Sequence, residues 1–355
     1  MSKNSKNNEN SLKKDKSVKC DSLAKRIART LFAAVLLYVL VTLLFTVGDL
    51  THMIGQNKSS RAIEYGETRY EELVSDGAPQ FYYVYTSEEM AENPDLKEVR
   101  LYYFPAPSGE AEKFAVVLPG GGYFECDTGK VAFPTAAKLN ELGYSAFVLG
   151  YRYGMMAKDG APYAPIEDLG RAIQYIFSHA GSGEGKFFNV DTDGYAVYGF
   201  SAGGNLAGLF ASDSLGYSRY AVPKPEAITL IYPWINPNGQ IELTGNPWQE
   251  AVQGVSQLIG NFFMFGTLSP TDTQKQAICV QNHVTPDYPK TYIVHGDNDF
   301  VVPMESNSME MVKVLQLNGV PNVLQIAEGA NHGFGLGLGT SAEGWVEKSV
   351  TFWLS

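Results

Sequence analysis

Cysteine is scarce in this chain, with three residues, Cys20, Cys126 and Cys279, among 355. Thiols so few and so scattered exclude a disulfide framework and a thiolate zinc site. One bond between Cys126 and Cys279 stays open, but nothing in the sequence requires them to meet, and two separate free thiols are expected. Histidine is nearly as rare, at five, which shortens the search for a general base. Basic side chains are also thin over most of the length. Residues 1–29 hold 9 Lys and Arg against 3 Asp and Glu, so the remainder carries 18 against 35, a net charge of −17. A body that acidic repels phosphate at long range, and nucleic acid is not an expected partner. There is no H-E-x-x-H, no Walker glycine loop and no G-x-G-x-x-G after a strand. The run GSGEGK ending at Lys186 is followed by neither Ser nor Thr and opens no convincing helix. Metal and nucleotide chemistry have no motif here, and no cofactor is implied.

What the chain does have begins with an asymmetry at its N-terminus. Residues 1–26 are rich in Lys, Asn and Ser and cannot bury enough apolar surface to order themselves. Thr30–Gly48 then runs nineteen residues without a charge, about 28 Å as a helix, close to the thickness of a bilayer core. No small-x-small cleavage site follows, so a retained signal anchor is expected, with secretion after cleavage as the alternative. The Lys and Arg excess precedes the run, which keeps residues 1–29 in the cytoplasm and sends the rest outside. The expected organisation is a basic tail (1–29), a transmembrane helix (30–48), a juxtamembrane spacer (49–80) with a short helix near Glu64–Val74, and a folded domain (81–355).

From residue 81 the pattern changes. Phe81–Thr86 and Glu98–Phe104 read as an antiparallel entry into a sheet, separated by a polar turn with Asn93 and Pro94. Apolar runs such as KFAVVL, SAFVLG, YAVYGF, AITLIY and KTYIVHG then alternate with amphipathic helical stretches. That alternation predicts an α/β protein with a mostly parallel central sheet and helices on both faces. Residues 236–284 break it and are expected to form a short cap insertion over the carboxyl ends of the strands, where ligands bind in such sheets.

The chemistry concentrates at Tyr195–Ala211, where a strand climbs to Gly199-Phe200-Ser201-Ala202-Gly203 and a small-residue helix leads away. A serine at the tip of so sharp a turn is exposed as a nucleophile on a helix N-terminus, and glycines stand two residues either side because side chains there would collide with strand and helix. An activated serine needs a base, and the base an orienting carboxylate. His332, in the glycine-rich GANHGFG loop after the last strand, is the candidate base. His179 and His295 fit satisfied structural imidazoles. HGDNDFVVP offers Asp297 and Asp299; Asp299 is the candidate orienter and Asp297 a turn residue capping local amides. Asp168 reads as an N-terminal helix charge. In PGGGY, bare amides of Gly121 and Gly122, with that of Ala202, are the candidate oxyanion donors.

PGGGY, GFSAGGNLA, VTPDYPKTYIVHGDNDFVVP and NHGFG, in this order, resemble the α/β-hydrolase serine esterases of the hormone-sensitive-lipase-like group, and among them the acetylxylan-esterase and feruloyl-esterase-like carbohydrate esterases. Pro119 stands where the lipase branch has a histidine, which favours the carbohydrate branch. The resemblance covers roughly residues 80–355. It implies an α/β-hydrolase fold, Ser201, Asp299 and His332 as the triad, Gly121, Gly122 and Ala202 as the oxyanion hole, and removal of short acyl groups, acetyl foremost, from a carbohydrate or small ester. Tyr123, Phe124, Trp234 and Phe262 would line an acyl or sugar pocket, although aromatics at such spacing are more often core. Two other readings stay open: a prolyl-oligopeptidase-type peptidase, and a surface binding protein on an inactive hydrolase scaffold.

Overall fold

Two segments with almost no polar side chains, Ser145–Gly150 and Ala227–Ile231, form strands buried at every position. That is the signature of a parallel sheet covered on both faces. The computed structural model describes residues 60–157, 163–181, 186–239 and 245–355, within one compact unit, Ile54–Ser355. The tail (1–29) and the apolar run (30–48) lie outside the described residues. Among those that are described, no helix is long and apolar enough to cross a membrane.

Eight strands make one sheet: β1 (Tyr82–Tyr83), β2 (Arg100–Phe104), β3 (Glu112–Leu118), β4 (Ser145–Gly150), β5 (Val190–Phe200), β6 (Ala227–Ile231), β7 (Lys290–Gly296) and β8 (Asn322–Ala327), in the spatial order β1-β2-β4-β3-β5-β6-β7-β8. β1 and β2 enter antiparallel, with Tyr82 opposite Leu101 and Arg100 opposite Gly150, and every later pairing is parallel. The helices are α1 (Ser60–Ser75), α2 (Ser87–Glu92), α3 (Phe133–Glu141), α4 (Tyr163–His179), α5 (Ala202–Phe210), α6 (Pro247–Phe265), α7 (Asp272–Gln276), α8 (Glu310–Leu317) and α9 (Trp345–Leu354).

Because successive strand residues face opposite ways, each central strand feeds two cores. Phe114, Val116 and Leu118 of β3 join Phe147 and Leu149 of β4 in one, under α4, α5 and α8. Ala115 and Val117 join Ala146 and Val148 in the other, under α1, α3 and α9. β8, at the sheet edge, buries only Ala327 fully, and Ile326 on it is 50% exposed. Cys126 and Cys279 are separate free thiols.

Two readings need correction. The strand expected over Phe81–Thr86 stops at Tyr83, because Thr86 opens α2 instead. Its side chain accepts from the Glu89 amide at 3.2 Å while Glu89 accepts from the Thr86 amide at 2.8 Å, a reciprocal capping box. The stretch 49–80 holds the short helix expected near Glu64–Val74, but the helix is longer, Ser60–Ser75, and is packed onto the sheet's helical layer instead of standing in a spacer. This helix, α1, buries Ala62 and Leu73 in the second core and lies across α3. The crossing is close at Gly66, where an added Cβ would stand 2.4 Å from the Pro134 nitrogen. Ala for Gly inside a helix ordinarily gains about 1 kcal/mol, but overpacking against a backbone atom costs about 1–3 kcal/mol and should win. Gly66→Ala is therefore expected to lower the urea midpoint of unfolding, and an unchanged or raised midpoint would show that α1 is not packed as described.

Candidate active site

The carboxyl end of β5 turns into α5 through one residue. Ser201 has φ 51° and ψ −114°, outside the regions open to ordinary L-residues. The flanking glycines are there for the reason the sequence suggests: a Cβ on Gly199 would meet the Gly203 carbonyl oxygen at 2.2 Å, and one on Gly203 the Pro119 carbonyl oxygen at 2.4 Å. The turn is tied to the neighbouring strand. The Ser201 amide donates to the Ile231 carbonyl at 2.9 Å, and the Ser201 carbonyl accepts from the Trp234 amide at 3.0 Å.

The loops after β7 and β8 bring the other two side chains to this point. His332 Nε2 is 3.0 Å from Ser201 Oγ, across a sequence separation of 131 residues, and His332 Nδ1 is 2.6 Å from Asp299 Oδ2. With Nδ1–H donating to the carboxylate, Nε2 offers its lone pair to the serine hydroxyl. Asp299 is 5% exposed. Burial alone would raise its carboxyl, but the attraction of His332 and the hydrogen bonds from His295 and His332 outweigh it and hold the group well below the usual carboxylate range. Its other oxygen, Oδ1, accepts from the amides of Val301 at 3.0 Å and Val302 at 2.9 Å. The edge of Tyr232 closes one side of the imidazole, ring centroids 4.8 Å apart. Asp297, expected to cap amides of its own turn, instead takes the Gly329 amide at 2.6 Å, 32 residues on in the loop after β8.

The glycine loop after β3 lies against the elbow. An added Cβ on Gly120 would come 3.1 Å from the Cβ of Ser201. Gly121 and Gly122 both have positive φ, 127° and 59°, a shape that glycine takes freely. Ala202 opens α5, so its amide is among those with no partner inside the helix.

The expected pocket residues divide. Tyr123 is not a lining residue. It is fully buried with φ 61°, and its hydroxyl donates to Asn205 Oδ1 on α5 at 3.0 Å. The positive φ turns the ring inward, and the residue fastens the glycine loop to the helix behind Ser201. Phe124 is half-buried, next to Gly122 and 6.1 Å, centroid to centroid, from Phe263 of α6. Trp234 is half-buried, with its ring against Gly260 of α6. The insertion thus meets the loops that follow β3 and β6, over the carboxyl ends of the strands. Phe262 is 41% exposed and packs against Phe263.

Asp168 is also not what its position suggests. It sits in the second turn of α4, fully buried, bonded by the guanidinium and amide of Arg152 and by the Tyr85 hydroxyl at 2.7 Å. His179 bonds its own helix and His283 the Ala277 carbonyl. His295, read as a structural imidazole, proves to share Asp299 with His332. Its place four residues before Asp299 was the only hint.

A sheet in this order, with a strained serine between β5 and α5 and an acid and histidine after the last two strands, defines an α/β-hydrolase fold. The chain belongs to the BD-FAE family, whose model matches residues 102–315. It is 27% identical over 238 residues to endo-1,4-beta-xylanase B of Butyrivibrio fibrisolvens, covering 65% of this chain and 34% of that protein. It is also 27% identical over 237 residues to acetylxylan esterase of Xylanibacter ruminicola, covering 65% and 42%. The chain thus matches about a third to two fifths of the length of these curated relatives. Among solved structures, the acetyl ester-xyloside bifunctional hydrolase from Caldicellulosiruptor lactoaceticus superposes with a TM-score of 0.61 at 25% identity, over 77% of this chain and 95% of that one. An esterase from Pyrobaculum calidifontis shares the fold, with a TM-score of 0.62 at 17% identity over 86% and 96%.

Two outcomes follow from this geometry. A carboxyl whose folded-state affinity for protons is depressed adds stability that is complete at neutral pH and fades as acid protonates the unfolded chain first, below about pH 4. Asp299→Asn should therefore flatten the fall of the urea midpoint between about pH 5 and pH 3; a slope as steep as that of the native protein would count against the depressed carboxyl. Tyr123→Phe leaves Asn205 Oδ1 buried without that donor, and should cost about 1–3 kcal/mol in the same measurement.

Proposed function

We propose that this chain is a serine carboxylesterase that removes short acyl groups, acetyl foremost, from an acylated carbohydrate or small ester. The observation that carries the reading is the pair of contacts made by His332, to Ser201 Oγ at 3.0 Å and to Asp299 Oδ2 at 2.6 Å. In this reading Ser201 Oγ attacks the ester carbonyl carbon as His332 Nε2 takes its proton. The carbonyl oxygen becomes an oxyanion facing the amides of Gly121, Gly122 and Ala202. His332 then gives its proton to the departing alcohol oxygen, leaving an acyl-enzyme. Water, deprotonated at Nε2, adds to the acyl carbon; the collapse frees the acid and returns Ser201 to its hydroxyl form. Asp299 stays ionised throughout and balances the imidazolium.

The preference for a carbohydrate ester is supported by the names borne by the relatives, an acetylxylan esterase and a xylanase. A short acyl group suits the aromatic walls at Phe124 and Trp234, which α6 backs with Phe263 and Gly260. The uncharged run 30–48 behind a basic stretch supports a single-pass anchor with the catalytic unit outside the cytoplasm.

Nitrophenyl esters of graded chain length and acetylated xylan, given to the native protein and to Ser201→Ala, test the proposal. The acetyl ester is expected to turn over fastest and xylan to release acetate. Ser201→Ala should lose a factor of about 10⁴ or more in kcat while keeping its fold. Native-like turnover by Ser201→Ala would remove the mechanism, and a preference for long chains or for peptides would remove the acetyl assignment.

A further inference from the structure

Asp299 Oδ2 receives two imidazoles. His332 reaches it from the solvent side, and His295 reaches it from within the sheet, Nε2 at 3.1 Å. His295 is fully buried on β7, the strand paired on both sides by β6 and β8. Its Nε2 also lies 2.9 Å from the Val302 carbonyl, so both neighbours of that nitrogen are acceptors and it must carry hydrogen. Its Nδ1 is 2.6 Å from the buried hydroxyl of Ser308, which fixes the far side of the ring. The result is one chain of contacts, Ser308 to His295 to Asp299 to His332 to Ser201.

We propose that His295 is a positioning residue: its Nε2–H pins Asp299 Oδ2 so that the remaining lone pair of that oxygen faces His332 Nδ1. The need is physical. The terminal torsion of an aspartate is soft, and the two amides on Oδ1 hold only one of its oxygens. A donor on Oδ2, mounted on a strand paired on both sides, fixes the plane of the carboxylate and through it the tilt of the His332 ring. Packing alone does not call for this residue, since a leucine or methionine would fill the same volume without two polar nitrogens to satisfy. The inference rests on the serine-hydrolase reading above but not on the identity of the acyl group.

The test uses the full chain and two readouts. Inactivation by a fluorophosphonate reports the reactivity of Ser201 whatever the natural ester is, and nitrophenyl acetate reports kcat and KM. His295→Phe keeps a ring but no donor, and His295→Gln keeps an N–H near the place of Nε2. His295→Phe is expected to lower both the inactivation rate and kcat by about tenfold to a hundredfold, the scale of a misaimed catalytic group, with KM changed by less than about threefold. His295→Gln should recover most of that loss. In an Asp299→Asn background, His295→Phe should add less than about twofold, because its effect passes through that carboxylate. If His295→Phe does not fold, Ser308→Ala, which frees the ring without removing it, should show the same fall in kcat at constant KM on a smaller scale. The proposal is overturned if folded His295→Phe reacts at the native rate, if Gln is no better than Phe, if the loss persists with Asp299→Asn, or if Ser308→Ala leaves kcat unchanged. A native protein that labels but releases no acetate would sink the acetyl assignment instead, and the labelling rates would still decide this one.

Discussion

The reversal of the chain at Ser201 is the constraint on which the site depends. A residue held at φ 51° and ψ −114° stores strain of about 1–3 kcal/mol and persists only where its surroundings over-determine it. Here they do so through backbone alone. The Ser201 amide is bonded to the end of β6, and its carbonyl accepts from Gly204, Asn205 and Trp234. β5 itself is bonded on both sides, by β3 and β6, so the strain is borne by the middle of the sheet, the part that opens last. The glycines at 199 and 203 let α5 fold back onto the strand closely enough for those bonds to form.

The same sheet converts a long separation in sequence into a short one in space. β5 to β8 are consecutive neighbours and parallel, so the loops at their carboxyl ends emerge on one rim. Ser201, Asp299 and His332 each take the first few positions of such a loop. Burying a carboxylate among them costs several kcal/mol unless its lone pairs are filled. Asp299 meets that condition with two amides and two imidazoles. The polarity of the site is therefore not a pocket added to a finished core. It replaces part of the core at the end of β7.

How much of this could be read from the chain depends on how local each cause is. The elbow was legible because its glycines are demanded by atoms within a few residues. Asp299 was separable from Asp297 by its place in the HGDNDFVVP loop, but the amide that Asp297 takes, from Gly329 in the loop after β8, lies too far along the chain to be read there. Tyr123 was misread because its partner, Asn205, lies 82 residues on, and because nothing in a tyrosine announces a positive φ. Asp168 was misread for a similar reason, its partner Arg152 standing 16 residues back in the loop after β4. The helix near Glu64–Val74 was legible, but not its packing: Ala62, Gly66 and Leu73 share a helical face whose partner, α3, lies some 70 residues on. The capping box at Thr86 and Glu89 was likewise printed in the sequence and hidden by the aromatic run before it.

Tyr123 and Asp168 have something in common: both hold the glycine loop. Three consecutive glycines have the greatest freedom to lose on folding, and a loop that must keep its amides aimed at a developing charge cannot rely on its own sequence for stiffness. Preorganised donors are effective because they need not reorganise during the reaction, so the stiffness has to come from neighbours. Tyr151 donates to the Pro119 carbonyl at 2.8 Å, Tyr123 grips α5 through Asn205, and Gly154 donates to the Tyr123 carbonyl at 2.7 Å. The strap that carries Tyr151 and Gly154 is in turn clamped at Arg152 by Asp168 and Tyr85. Each of these polar groups is buried with its partner in place, on the same side of the sheet as α5. The loop that carries Gly121 and Gly122 is thus set by a buried network reaching back to α4, and the apolar core around that network keeps water from competing for its bonds.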